Sequence, residues 1–310
     1  MVPMETVVEV RQVSKSFVRG TPILEDVSFS LRRGEMVALI GASGAGKSTL
    51  IRTIAGLLPI DKDVRGQAAG ASAITLFGEP MQRNGRVARS AKALRARVGV
   101  IFQQFNLVPR LSVHTNVCLG TLGRVSFLRG ALGRFSTADQ RRAVHALARV
   151  GMAEHALKRG SDLSGGQQQR AAIARTLMQG AELLIADEPI ASLDPKSARR
   201  VMDILADMNR RDGLTVLVSL HQVEYALKYC PRTIALQTGT IAYDGPSNQL
   251  TAAMLSDIYG AEESELLLLD AASKPSVWMT EGLNDDAARI RGWSEPTPQP
   301  GPQIARAPAA

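Results

Sequence analysis

Residues 36–49 read MVALIGASGAGKST. Five apolar residues run straight into a glycine-rich turn that closes on Lys-Ser-Thr. The run at 36–40 has the composition of a buried strand, and KSTLIRTIAGLL from Lys47 has helical spacing that stops before Pro59. Strand, glycine loop and helix in that order form one supersecondary unit. Residues 41–48 fill the template G-x-x-x-x-G-K-[ST] completely. Gly41, Gly44 and Gly46 allow the backbone to curl so that its N–H groups face a β-phosphate. Lys47 reaches the β- and γ-phosphates, and Ser48 offers a hydroxyl to Mg²⁺.

Outward from this unit the chain alternates strand-like and helix-like stretches. Residues 5–40 alternate apolar and polar positions and read as several strands, and VGVIF at 98–102 is strand-like. Between about 104 and 160 the pattern is mainly helical, with Ser136 and Asp139 forming a capping box. A further helix runs from about 165 to Gly180. Asp194 caps the next helix, Pro195 takes its first turn, Gly213 ends it, and Val201, Ile204, Leu205 and Met208 form its buried stripe. LTVLVSL at 214–220 reads as a buried strand and TIALQTGTIAYDG as a hairpin. Alternation of this kind predicts an α/β fold with a parallel sheet covered by helices. Residues 60–95 are richer in Gly, Ala and Arg. Beyond about 270 the pattern dissolves. Five prolines at 294–310 predict a disordered tail, with Trp278 and Trp293 as marks of an alternative, a docking peptide.

Composition narrows the function classes. The 310 residues carry 37 Lys and Arg against 29 Asp and Glu, a net charge of +8. That balance suits nucleic acid, a membrane surface or a phosphate-rich ligand. Cys118 and Cys230 are far apart with apolar neighbours, which predicts neither a disulfide framework nor a zinc site and places the chain in a reducing cytoplasm. The N-terminal stretch lacks the pattern of a signal peptide, and no segment approaches the roughly 20 apolar residues of a membrane span. Any membrane part would be another subunit's.

Two more stretches carry chemistry. LLIADE at 183–188 places Asp187 at the end of a hydrophobic strand, where it can hold Mg²⁺ through water. Beside a phosphate loop the adjacent acids divide, with Asp187 for metal and Glu188 to accept a proton from attacking water. A solvated acidic pair is the alternative reading. SDLSGGQQQR at 161–170 starts a helix with a serine and two glycines, and such a terminus attracts an anion. One nucleotide already saturates the phosphate loop, so the second site needs another explanation.

Gly41 to Thr49, FQQ at 102–104, LSGGQ at 163–167, LLIADEP at 183–189, SLDP at 192–195 and His221 follow one another as in the ATP-binding cassette (ABC) ATPases, and the chain resembles that family over about residues 5–260. The resemblance implies a P-loop NTPase with a mainly parallel core sheet, an antiparallel β subdomain and a helical subdomain at about 104–180. It implies ATP and Mg²⁺ as ligands. Gly41, Ala42, Ser43, Gly44, Ala45, Gly46, Lys47, Ser48 and Thr49 would then hold the phosphates, and Phe17 would stack on adenine, although a core phenylalanine is the other reading. Gln103 would sense Mg²⁺ and the attacking water, with Gln104 as a second candidate, and His221 would contact the γ-phosphate. Ser164, Gly165, Gly166 and Gln167 would close over the ATP of a facing subunit, with Asp194 speaking across that interface. His114, His145 and His155 match nothing in the family and read as surface residues.

The text IFQQFNLVPRLSVHTNV, ADEPIASLDPKSARRVMD, LHQVEYALKYC and FGEPMQRNGRVARSAKALRARVGV resembles the ATP-binding subunits of bacterial phosphonate importers. The implied assembly is a homodimer on the cytoplasmic face of the inner membrane, with two permease subunits and, through them, an extracytoplasmic substrate-binding protein. In importers the permease helix docks near the equivalent of 104–135. The basic positions at 83–97, which include no acid, suit either a lipid-facing or a solvated surface. Alternatives are import of phosphite or phosphate, and a cytosolic ABC ATPase acting on nucleic acid, for which net charge is the one positive feature. No nucleic acid is expected.

Overall fold

The computed structural model describes residues 5–18, 20–63, 71–103, 106–125 and 133–260. The chain divides into units 1–268 and 269–310, and every described residue lies in the first. The expected tail, with Trp278 and Trp293, and the candidate Gln104 lie outside the described residues.

Among the described residues the strands form two sheets. The first contains β1 (Thr6–Val18), β2 (Thr21–Arg32), β4 (Ala73–Leu76), β5 (Glu79–Arg83) and β6 (Arg86–Val87), ordered β2-β1-β4-β5-β6 with antiparallel pairing throughout. The second contains β3 (Met36–Ile40), β7 (Val98–Ile101), β8 (Leu183–Asp187), β9 (Thr215–Ser219), β10 (Arg232–Gln237) and β11 (Thr240–Pro246), ordered β11-β10-β3-β9-β8-β7. Every neighbouring pair in it is parallel except the β10–β11 hairpin. This is the mainly parallel core sheet with an antiparallel partner that the resemblance implies. Strands β4 to β6 and the short helix α2 (Ala91–Ala96) fall in the stretch where no element was expected. Each is too short, and too broken by glycine and arginine, to develop a period.

The core strands are apolar without interruption because both of their faces are covered. Ala38, Ile40, Leu184, Ala186, Val216 and Val218 face one hydrophobic core, together with helices that follow β7. Val37, Leu39, Leu183, Ile185, Leu217 and Ile234 face the other, with α1 (Lys47–Ile54), α2 and the antiparallel sheet. Successive strand residues point to opposite faces, so a run without polar gaps marks a strand buried on both sides.

Helices α3 (Val113–Cys118), α4 (Thr137–Arg149) and α5 (Gly165–Gln179) lie in the segment expected to be helical, but the stretch from 104 to 160 holds less helix than expected: among its described residues, turns, loops and short 3₁₀ turns at Leu119–Gly123 and Ala153–His155 outweigh α3 and α4. Ser136 caps α4 by accepting from the Asp139 N–H at 3.1 Å. The return bond differs from the expected box. Asp139 is one methylene shorter than glutamate, and its Oδ2 accepts from the Ser136 hydroxyl at 2.6 Å instead of from the cap N–H. Helix α6 (Pro195–Asp212) follows expectation, with Asp194 accepting from the Lys196 and Ser197 N–H groups and Gly213 ending the helix at φ 66°. Its stripe of Val201, Ile204, Leu205 and Met208 is buried. Each such side chain contributes about 1.5–3 kcal/mol by leaving water. Helices α7 (Val223–Tyr229) and α8 (Ala252–Tyr259) complete the described chain.

Candidate nucleotide site

Register aligns the site before any side chain is considered. In the parallel sheet Leu39 lies opposite Ser219, Asp187 opposite Ser219, and Ile101 opposite Ala186. The carboxyl ends of β3, β9, β8 and β7 therefore share one edge. That edge carries Gly41, His221, the Asp187–Glu188 pair and Gln103, and it is where open parallel sheets place their ligands.

The loop after β3 needs glycine for a steric reason. Gly41 has φ 147°, and a Cβ there would stand 2.3 Å from the Leu236 carbonyl oxygen. Gly46 has φ 102°, and its Cβ would stand 2.8 Å from the Ile23 carbonyl oxygen. No larger residue fits either position without moving backbone. Lys47 begins α1 and is 5% exposed. Its Nζ donates to the carbonyls of Gly41 at 2.7 Å and Ala42 at 3.1 Å, which bends the side chain back over the loop. No side chain caps α1. The N–H groups and positive dipole end of its first turn thus meet no capping side chain, which makes them a ready seat for phosphate.

Ser48 and Asp187 meet across 139 residues of chain, the serine hydroxyl donating to Oδ1 at 3.1 Å. Ser219 donates to the same oxygen at 3.0 Å, and its own hydroxyl accepts from the Glu188 N–H at 2.8 Å. Asp187 is 4% exposed. A hydroxyl and a buried carboxylate in contact are hard oxygen donors, the chemistry that suits Mg²⁺.

Just past β8 the backbone turns left-handed at Glu188, with φ 50°. That conformation is costly for a residue with a side chain and concentrates at functional sites. It separates the two acids: Asp187 bonds to Ser48 and Ser219, while Glu188 Oε1 lies 2.7 Å from His221 Nε2. A solvated acidic pair does not describe this arrangement. His221 sits two residues past β9 and is held through the Leu220 N–H, which donates to the Leu39 carbonyl at 3.0 Å.

Gln103 is exposed two residues past β7, at the same sheet edge. Phe17 is 59% exposed, so it is not a core phenylalanine. The Lys15 ammonium lies 5.6 Å from its ring centre. Strand β1 pairs there with the segment of β2 that packs on Gly46, Lys15 opposite Leu24 and Ser16 opposite Pro22. The backbone that leads into Phe17 thus runs beside the segment of β2 that packs on Gly46.

The second glycine motif belongs to a different surface. Ser164 caps α5 in a full capping box: its Oγ accepts from the Gln167 N–H at 3.4 Å, and its N–H donates to Gln167 Oε1 at 2.9 Å. Part of the expected anion seat is therefore satisfied internally. Gly166 is buried against α6, where an added Cβ would meet Ser197 Oγ at 2.8 Å. Ser164 and Gln167 make no hydrogen bond to the Ser48–Asp187–Glu188–His221 cluster. Asp194, at the start of α6, stands beside them. Hydrogen bonding from the Ser197 side chain, then from the Ser197 and Lys196 N–H groups, holds its carboxyl below the usual carboxylate range.

Three residues escaped the sequence reading. Ser219 bridges both acids, and its signal was weak: a serine closing an apolar strand shortly before His221. Tyr259 in α8 accepts from the Gly41 N–H at 3.2 Å across 218 residues, and no local pattern announces that. His155, read as a surface residue, is partly buried, with Nε2 2.7 Å from Gln167 Nε2. His145 is exposed as expected, and His114 Nε2 meets the Gln140 carbonyl.

Comparison with known proteins places these features. The profile described as "ABC transporter" matches residues 24–191. The chain is 54% identical over 272 residues to the phosphonates import ATP-binding protein PhnC 1 of Pseudomonas aeruginosa strain UCBPP-PA14, covering 87% of this chain and 95% of that one. It is 52% identical over 260 residues to the PhnC protein of Paraburkholderia xenovorans strain LB400, covering 84% of each. Among solved structures, the dimeric bacterial ABC transporter cassette MJ0796 superposes with a TM-score of 0.66 at 28% identity, covering 78% of this chain and all of that one.

Proposed function

The chain belongs to the ABC transporter family, and from that premise we propose that it is the ATP-hydrolysing subunit of an importer that carries phosphonates across the cytoplasmic membrane. Its likeness at above 50% identity to proteins named for phosphonate import supports the substrate class. One observation carries the chemistry: phosphate loop, metal carboxylate, second acid and histidine converge at one edge of the parallel sheet through Ser48, Asp187, Ser219, Glu188 and His221.

In this reading the curled loop from Gly41 to Thr49 and the uncapped start of α1 hold the phosphates, Lys47 neutralises them, and Phe17 packs on the base. Ser48 and Asp187, with Gln103, hold Mg²⁺, which when bound offsets charge on the phosphate oxygens. His221 donates from Nε2 to Glu188 Oε1, which leaves Glu188 Oε2 to accept the proton of an attacking water. Closing the site excludes bulk water and fixes that geometry.

The serine-glycine corner at 164–167 and Asp194 supply the other half of a composite site, facing the nucleotide of a second copy. The corner bonds within itself and not to its own phosphate-loop cluster, which supports that division. The working unit is then a homodimer bound to two permease subunits and, through them, to a substrate-binding protein outside. ATP closes the pair, and hydrolysis reopens it. A basic cleft of about 660 Å³, lined by Arg89, Lys92, Arg95, Leu119, Arg175 and Gln179, lies between α2 and α5 and forms the permease seat. Among the described residues no helix is long and apolar enough to cross a membrane, in keeping with a peripheral subunit at the cytoplasmic face. The cassette spans about residues 5–260, with its helical part near 104–180.

Growth with a phosphonate as sole phosphorus source tests the substrate. Deleting the gene should abolish growth on phosphonate, and the intact chain but not its Glu188→Gln variant should restore it. Growth on phosphate or phosphite should be unaffected. Loss on phosphite or phosphate with normal growth on phosphonate would reassign the cargo to another oxyanion.

A further inference from the structure

The contact between His155 and Gln167 assigns a donor and an acceptor. Gln167 Oε1 accepts from the Ser164 N–H at 2.9 Å, so the amide cannot turn over without setting its NH2 group against another donor. Its Nε2 therefore faces His155 as a donor at 2.7 Å, and His155 Nε2 must accept. That requires an imidazole whose Nε2 carries no proton. The hydrogen sits on Nδ1, which is buried without a hydrogen-bond partner, with Glu154 Oε1 at 3.7 Å.

We infer that His155 is a positioning residue for the serine-glycine corner, holding the Ser164–Gln167 box in shape while neutral and releasing it when protonated. An imidazolium presents an N–H to the amide NH2, and two donors cannot share a 2.7 Å contact. Turning the amide relieves that clash and breaks its bond to the Ser164 N–H instead. Either route costs the corner one hydrogen bond. Histidine is the side chain whose charge changes in the mildly acidic range.

Among the described residues few charged groups lie near His155 in the chain or on the elements packed against it. Glu154 precedes it, with Oε1 3.7 Å from Nδ1. On α5, Arg170 binds the carbonyls of Val150 and Gly151, with Arg200 of α6 close by. The Lys158 N–H bonds to the His155 carbonyl. On α3, the His114 N–H donates to the Ala156 carbonyl.

The inference rests on the composite-site reading, and the test separates the two. ATP-driven dimerisation of the full chain is measured by analytical ultracentrifugation from pH 5.5 to 8 in the Glu188→Gln background, with His155 intact, His155→Leu or His155→Gln. His155→Leu should weaken dimerisation about five- to tenfold at pH 8, the effect of one lost hydrogen bond, and its difference from the His155-intact protein should shrink as the pH falls. Binding of ATP to the separate chain should stay unchanged. His155→Gln offers an acceptor that does not titrate, so it should restore the dimer and remove part of the acid loss seen with His155 intact. If the parent dimerises but all three chains share one pH profile, this inference is overturned alone. A parent that never dimerises with ATP overturns the composite site, and this inference with it.

Discussion

Glu188 Oε1 and His221 Nε2 lie 2.7 Å apart, joining the ends of two neighbouring parallel strands across 33 residues of chain. The left-handed backbone at Glu188 makes the contact possible, because it turns this carboxylate away from the buried Asp187. Glu188→Gln should keep the contact and lose the proton acceptor. Hydrolysis should fall by about 10²–10⁴, the usual worth of a general base, with MgATP affinity retained. Single-turnover kinetics beside equilibrium nucleotide binding checks both, and rapid turnover would remove Glu188 from its role.

Ser219 touches both acids, and its loss should act through metal rather than nucleotide. Ser219→Ala deletes the hydroxyl that donates to Asp187 and accepts from the Glu188 N–H. The Mg²⁺ concentration for half-maximal hydrolysis should rise about tenfold, in line with other groups that orient a metal ligand. Metal-free ATP binding should barely change. A Mg²⁺ titration of the ATPase rate separates these outcomes.

Tyr259 fastens the end of the described chain to the phosphate loop. Tyr259→Phe removes the acceptor for the Gly41 N–H and should cost about 1 kcal/mol of stability. The same change should weaken ATP binding by less than about tenfold. Thermal denaturation with and without nucleotide reads both quantities.

At Gly41 the side chain is excluded by backbone. Gly41→Ala would place a Cβ 2.3 Å from the Leu236 carbonyl and should abolish ATP binding while shifting β10. Calorimetric titration with ATP gives the result. Near-normal affinity would show that the loop tolerates a different path.

The two thiols offer a test by pH. Burial pushes Cys118 up to about 11 and Cys230 up to about 12, with Asp139 adding to the first. The folded state holds these protons where the unfolded chain releases them. Their contribution is fully present below the ordinary thiol range and is lost as pH rises through 11 and 12. Neither thiol should react with an aromatic disulfide reagent at pH 8 until the protein is denatured. Stability should decline above about pH 9, less steeply in the double variant Cys118→Ala, Cys230→Ala.

Contiguous features were open to reading from the sequence alone. A glycine loop curls by its own dihedral freedom, Asp194 caps its own helix, and an uninterrupted apolar strand reports that both of its faces are covered. The phosphate loop, the ends of α6 and the β10–β11 hairpin follow from such local rules. Register and packing decided the remainder. Ser219 meets Asp187 because β8 and β9 pair in step, Tyr259 reaches Gly41 because α8 folds back onto the parallel sheet, and His155 holds Gln167 from an earlier turn of chain. Hydrogen bonds of this kind join residues far apart in sequence, and only the packed cores on the two faces of the sheet set the distances that form them.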